Sequence, residues 1–241
     1  MSSRLRAILA VGVLAVLLGG VGVYSLVTDE MTGTVLSTDP VSEYQSPPLE
    51  TQDGGVYAFM ATQPGTDDVP VTYDPCETIR VVVNEERAPD DADEILRDAL
   101  DEVEELTGLS FEITGRTDDD PLSDDVRRGD GWRPVQISWS DADGVSDLEG
   151  DVAGLGGSTW VEEDGQRWFV TGDVVLDAED LEQLGGDVTT MVLLHELGHL
   201  VGLAHVDSTD ELMHPSSGGP EWGPGDLVGL DALGQGTCRS A

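Results

Sequence analysis

The sequence predicts an α+β domain, and three patterns carry that expectation. A β-branched run at Thr78–Val83 opens a regular region; an amphipathic helical period follows, closed by a glycine; short apolar runs then recur up to residue 176, before a second helical stretch. Strands grouped with a few long helices give a sheet covered by helices.

Each element has its own signal. Thr78–Val83 is rich in branched side chains that suit a pleated surface. Pro89-Asp90-Asp91 opens a helix, with acids where the macrodipole favours them. Within it Ile95, Leu96, Ala99, Leu100, Val103 and Leu106 repeat at helical spacing, and Gly108 stops it. Ser110–Thr114 reads as a second strand, followed by an acidic loop over Asp118–Asp125. Val135–Trp139 alternates as a third strand, and the Gly-rich stretch Val152–Val161 reads as extended. After a turn at Asp164-Gly165, Trp168–Leu176 is a further strand. Asp187 is placed to cap a helix over Val188–Val201, and a short last helix starts near Pro224 and runs through Leu233.

Charge narrows the partners. The 241 residues hold 11 Arg, no Lys and 49 Asp plus Glu, a formal charge of −38. Such a surface repels nucleic acid, which needs clustered cations to displace counterions. Membrane contact is therefore expected through the N-terminal segment only. Arg4 and Arg6 precede an uncharged run from Ala7 to Val27, and Asp29 and Glu30 follow it. A run of this length matches the roughly 30 Å hydrocarbon core of a bilayer. Residues 1–27 are thus a single-pass signal anchor that leaves the remainder outside the cell membrane, or a cleaved signal peptide of a secreted protein. Residues 28–75, rich in Pro, Ser, Thr and Asp without periodicity, read as a flexible extracellular stalk or a pro-segment. Residues 76–241 form the expected domain. Its two cysteines, Cys76 and Cys238, are a candidate disulfide in an oxidising compartment; two unpaired buried thiols are the alternative.

Three of the four histidines fall within eleven residues, His195-Glu196-Leu197-Gly198-His199-Leu200-Val201-Gly202-Leu203-Ala204-His205. His195 and His199, four apart, share one helix face and can ligate one metal ion. Glu196 lies too far round the helix to ligate beside both, and is placed to act on a water molecule. Gly202 can end the helix in a left-handed turn that returns His205 as a third ligand. Three neutral nitrogens with one open position suit a catalytic zinc.

The pattern His195, Glu196, His199, Gly202, His205 resembles the H-E-x-x-H-x-x-G-x-x-H signature of the metzincin metalloproteases. Leu212-Met213-His214-Pro215 resembles their Met-turn, with Met213 eight residues past His205, the spacing of the matrixin branch. The resemblance covers roughly residues 76–238 and is specific over 195–215. It implies a metzincin-like zincin fold: a twisted mixed sheet with an N-terminal helix, an active-site helix, a Met-turn and a C-terminal helix. It also implies a zinc-dependent metalloendopeptidase acting on peptide bonds of extracellular proteins. One catalytic Zn²⁺, a zinc-activated water and Glu196 as general base would serve the reaction, with Met213 as an apolar floor. His214 and Pro215 are candidate pocket residues; His214 stands where matrixins usually carry Tyr, and Val206 where they usually carry Ser. No histidine is left for a second, structural zinc. Calcium is a further candidate cation at Asp141, Asp143, Asp147, Glu149 and Asp151, whose alternative is a solvated acidic loop. The Gly-rich stretch resembles a cleft-edge strand to which a substrate peptide could pair. Two other functions are compatible with the motif. A catalytically silent zinc-binding module would not need Glu196. An archaemetzincin-type aminopeptidase would continue into a cysteine-rich zinc site that Cys238 alone cannot make.

Overall fold

The structure is a computed structural model and describes residues 27–28, 35–36, 45–123, 125–150, 152–216 and 219–239. Among the described residues its main sheet has seven strands: two short pieces, Val27–Thr28 and Val35–Leu36, and five longer strands, β1 (Ile79–Asn84), β2 (Phe111–Arg116), β3 (Val135–Ser140), β4 (Gly154–Glu163) and β5 (Gln166–Asp177). Among the described residues four α-helices accompany it: α1 (Ala92–Thr107), α2 (Ala178–Leu184), α3 (Gly186–Val201) and α4 (Pro224–Gly234). The strand order starts with the pieces Val27–Thr28 and Val35–Leu36 and continues β4-β5-β3-β1-β2. The last four run parallel, and β4 pairs antiparallel to β5. This is a mixed sheet covered by helices, in keeping with the α+β expectation and with the zincin fold that the resemblance implies.

Burial explains the layering. All of β3 is buried. Its Val135, Ile137 and Trp139 enter the core beneath the helices. Gln136 turns the other way, where it donates to the Asp119 carbonyl and to Ser138 Oγ. α1 sends Leu96, Ala99, Leu100 and Val103 into the same core and ends at Gly108, whose φ of 74° places it in the left-handed region. The opposite sheet face carries a smaller cluster of Val145, Leu148 and Val175. A buried ion pair, Arg133 with Asp173, lies close by.

Two expectations are corrected. Asp187 does not cap the helix expected over Val188–Val201; α3 starts at Gly186 and Asp187 sits in its first turn. The chain leaves β5 straight into α2, where the Asp177 side chain accepts from the Asp180 N–H, and Gly185 (φ 94°) separates the two helices. The expected stalk is the second correction, for residues 45–75. Ala58, Phe59, Ala61, Val71 and Tyr73 are buried in the main core. Phe59 bridges to Leu203, and Thr72 bridges to Trp168 on β5. The segment lacks periodicity because it makes isolated bridges to distant strands and turns, with one short hairpin, Leu49–Glu50 with Val56–Tyr57.

Cys76 and Cys238 are bonded, with Cα atoms 5.5 Å apart, and so tie the approach to β1 to the tail beyond α4. The apolar run from Ala7 lies outside the described residues, apart from Val27 at its end. Among the described residues no helix is long and apolar enough to cross a membrane.

Candidate metal centre

The site is assembled from α3 and the turn that follows it. His195 and His199 leave one face of α3 a turn apart. Gly202, with φ of 126°, then diverts the chain; its N–H still donates to the Gly198 and His199 carbonyls. The diversion brings His205 back over the helix. His205 Nε2 lies 3.0 Å from Nε2 of both His195 and His199.

The second ring nitrogens settle the tautomers of two of these residues. His195 Nδ1–H donates to the Leu212 carbonyl at 2.8 Å, and His199 Nδ1–H donates to the Leu203 carbonyl at 2.8 Å. A carbonyl can only accept, so each imidazole carries its proton on Nδ1 when neutral. Both Nε2 atoms then present lone pairs to the same point. A single Nε2–H on His205 cannot satisfy both well, whereas a cation at the point of convergence satisfies all three. Burial first, and neighbouring imidazole charge next, hold His199 well below the ordinary histidine value and push His205 down to about 3. Burial likewise lowers His195. The rings are therefore neutral at physiological pH, the form that ligates metal.

Glu196 follows His195 on α3, and its carboxyl packs against β4. It is 6% exposed, and burial pushes its carboxyl up to about 8. The glycines of β4 make room for it. A Cβ on Gly154 would stand 2.8 Å from Glu196 Cγ, and one on Gly156 would stand 2.4 Å from the Glu196 carbonyl oxygen. Sequence reading noted the Gly-rich strand but not this contact, since Cβ-free packing between two distant segments leaves no local pattern.

Met213 is buried beneath α3. Its sulfur would lie 2.6 Å from a Cβ on Gly198, which Trp222 also approaches. Two buried carboxylates hold the turn and were not foreseen. Asp226 on α4 accepts from Leu212 N–H and Gly223 N–H. Glu211 accepts from Val56 N–H, Gly225 N–H and Asp226 N–H. Asp226, two residues after Pro224, is a helix-start signal that a closer reading would have caught. Glu211 has no comparable signal.

His214 is not one of the three converging donors; its Nε2 is 3.9 Å from Asp207 Oδ1 and its Nδ1 accepts from Ser216 N–H. It and Pro215 are half-buried beside the Met-turn. Asp141, put forward for calcium, pairs with Arg87 and accepts from the Gly144 N–H. Asp151 is outside the described residues, and the described acids of this loop form no cluster of three donors comparable to the histidine group.

The sequence model of the matrixin family matches residues 77–221, more than half of the chain. The chain belongs to the matrixin family. No curated protein matches it significantly. Matrixins bind zinc and are peptidases, so the three converging imidazoles lie in a family whose metal suits them. The set of three imidazole nitrogens fits zinc on chemical grounds as well. The matrixin match begins at residue 77 and so omits the folded segment 45–75.

Proposed function

We propose that this matrixin is a zinc-dependent endopeptidase, with His195, His199 and His205 as the metal ligands and Glu196 as the general base. The observation that carries the reading is the meeting of three neutral Nε2 atoms, two of them with Nδ1 tied to backbone carbonyls, next to a buried carboxylate. Zinc, when bound, supplies Lewis acidity. The chain supplies the rest. Glu196 takes a proton from the attacking water as the water oxygen bonds to the scissile carbonyl carbon. It then returns that proton to the amine nitrogen as the C–N bond breaks. Beside a bound dication its carboxyl is drawn back from its raised value toward the ionised form, which is the form that accepts a proton.

The outer edge of β4 supports an extended peptide as substrate. Among the described residues the short strand Val35–Leu36 pairs with Val161 and Glu162 on that side, and a substrate peptide would pair farther along the same edge, at Gly154–Ser158. The Cys76–Cys238 bond supports an oxidising compartment, and the N-terminal run supports export. Extracellular proteins are accordingly the proposed substrates.

Purified protein is expected to cleave casein or an internally quenched peptide with blocked ends, and to stop when a chelator is added. Glu196→Ala is expected to lower kcat by about 10²–10⁴-fold while one zinc stays bound. A variant that keeps full turnover, or a wild-type protein that holds zinc but cleaves only free N-termini, would overturn this reading.

A further inference from the structure

The three imidazoles are not held alike. His195 and His199 sit on a helix, and each has its Nδ1 fixed by a carbonyl. Among the described residues His205 makes no such bond; its hydrogen-bond-range contacts with the other two rings run through Nε2. It also follows a glycine turn rather than a helix. Its place must therefore come from the backbone that carries it.

That backbone is clamped from upstream. Met60 N–H donates to the Gly202 carbonyl at 2.8 Å, and Ala204 N–H donates to the Ala58 carbonyl at 2.8 Å. Phe59 and Leu203 face one another in an antiparallel bridge. All of Ala58, Phe59, Leu203 and Ala204 are at most 1% exposed. The upstream segment is itself anchored to the chain downstream of His205. Val56 N–H donates to Glu211 Oε1 at 2.9 Å, and Glu211 Oε2 accepts from Gly225 and Asp226. Glu211 is completely buried, and those three backbone N–H groups satisfy its oxygens there. Ser46 Oγ adds a bond from the Phe59 N–H at 2.8 Å.

We propose that residues 56–60 form a brace that positions His205 as the third metal ligand, with Glu211 as the positioning residue that locks the brace to the Met-turn. The brace lies outside the stretch that matches the family, so the functional unit includes residues upstream of residue 77. This inference rests on the metal-site reading above, and zinc affinity rather than turnover tests it, so that the two can fail separately.

Full-length Met60→Pro lacks the N–H given to Gly202, and Glu211→Gln exchanges the carboxylate for a group with donors of its own. Each is expected to weaken zinc binding about 10–100-fold in competition with a chelator of known affinity, as outer partners of metal ligands do. In a His205→Ala background the same changes are expected to add less than about threefold. Near-UV circular dichroism checks folding, and Ser46→Ala serves as the milder probe if Met60→Pro does not fold. Wild-type affinity in the folded variants, or the same weakening with and without His205, overturns the brace. Turnover of the wild-type samples reports separately on the peptidase reading.

Discussion

Glu196 owes its surroundings to two residues that contribute no side chain. Gly154 and Gly156 let β4 close on the carboxyl, which is why a glutamate next to a zinc-type ligand is buried rather than solvated. The two positions differ in what a methyl group would strike. At Gly154 it meets the flexible Glu196 side chain, whereas at Gly156 it meets the helix backbone. Gly154→Ala is therefore expected to leave zinc bound and stability nearly intact while kcat falls at least about tenfold, because a displaced base loses its alignment. Gly156→Ala is expected to cost stability as well, by about 1–3 kcal/mol, the scale of overpacking. Steady-state kinetics and denaturant titration of both variants check the contrast, and an unchanged kcat in Gly154→Ala would refute the contact.

At the level of elements, the Met-turn is shaped by α4 as much as by its own sequence. Leu212 links the two: its N–H donates to Asp226, and its carbonyl accepts from His195 Nδ1. Burial pushes Asp226 up to about 6, against the opposing pull of the Gly223 and Leu212 N–H groups. A carboxyl raised in the folded state favours folding while protonated. Its contribution is full below the unfolded value of 3.8 and is lost as pH rises through about 6. Relative to Asp226→Asn, the zinc-free wild-type protein is expected to lose roughly 2 kcal/mol between about pH 4 and pH 7. Urea unfolding of both proteins across that range checks it. A parallel pH dependence in the two would remove Asp226 as the cause.

For the whole molecule, the bond between Cys76 and Cys238 closes a span of 162 residues around almost the entire domain. In the chain-entropy picture a loop of that size contributes roughly 5 kcal/mol by restricting the unfolded chain. The Cys76→Ser, Cys238→Ser double variant is expected to unfold at a markedly lower denaturant concentration. A loss under about 1 kcal/mol would mean that Arg239, through Asp74 and Glu163, already holds the tail in place. The formal charge of −38 belongs to this scale too: it sets solubility and disfavours nucleic acid, and says little about the fold.

What could be read from the sequence was whatever repeats along the chain or sits within a few residues. The periodicity of α1, the branched run of β1 and the helix stop at Gly108 are local, because each depends on neighbours one turn or one pleat away. The histidine spacing belongs with them, since a helix converts a four-residue interval into adjacency. Tertiary structure alone decided the remainder. Residues 45–75 looked like linker because their partners lie more than a hundred positions downstream, as Phe59 with Leu203 and Val56 with Glu211. The bare glycines under Glu196 and the buried Glu211 acquire meaning only when separate segments come into contact. Contacts of that kind are fixed by packing, which a one-dimensional pattern does not encode.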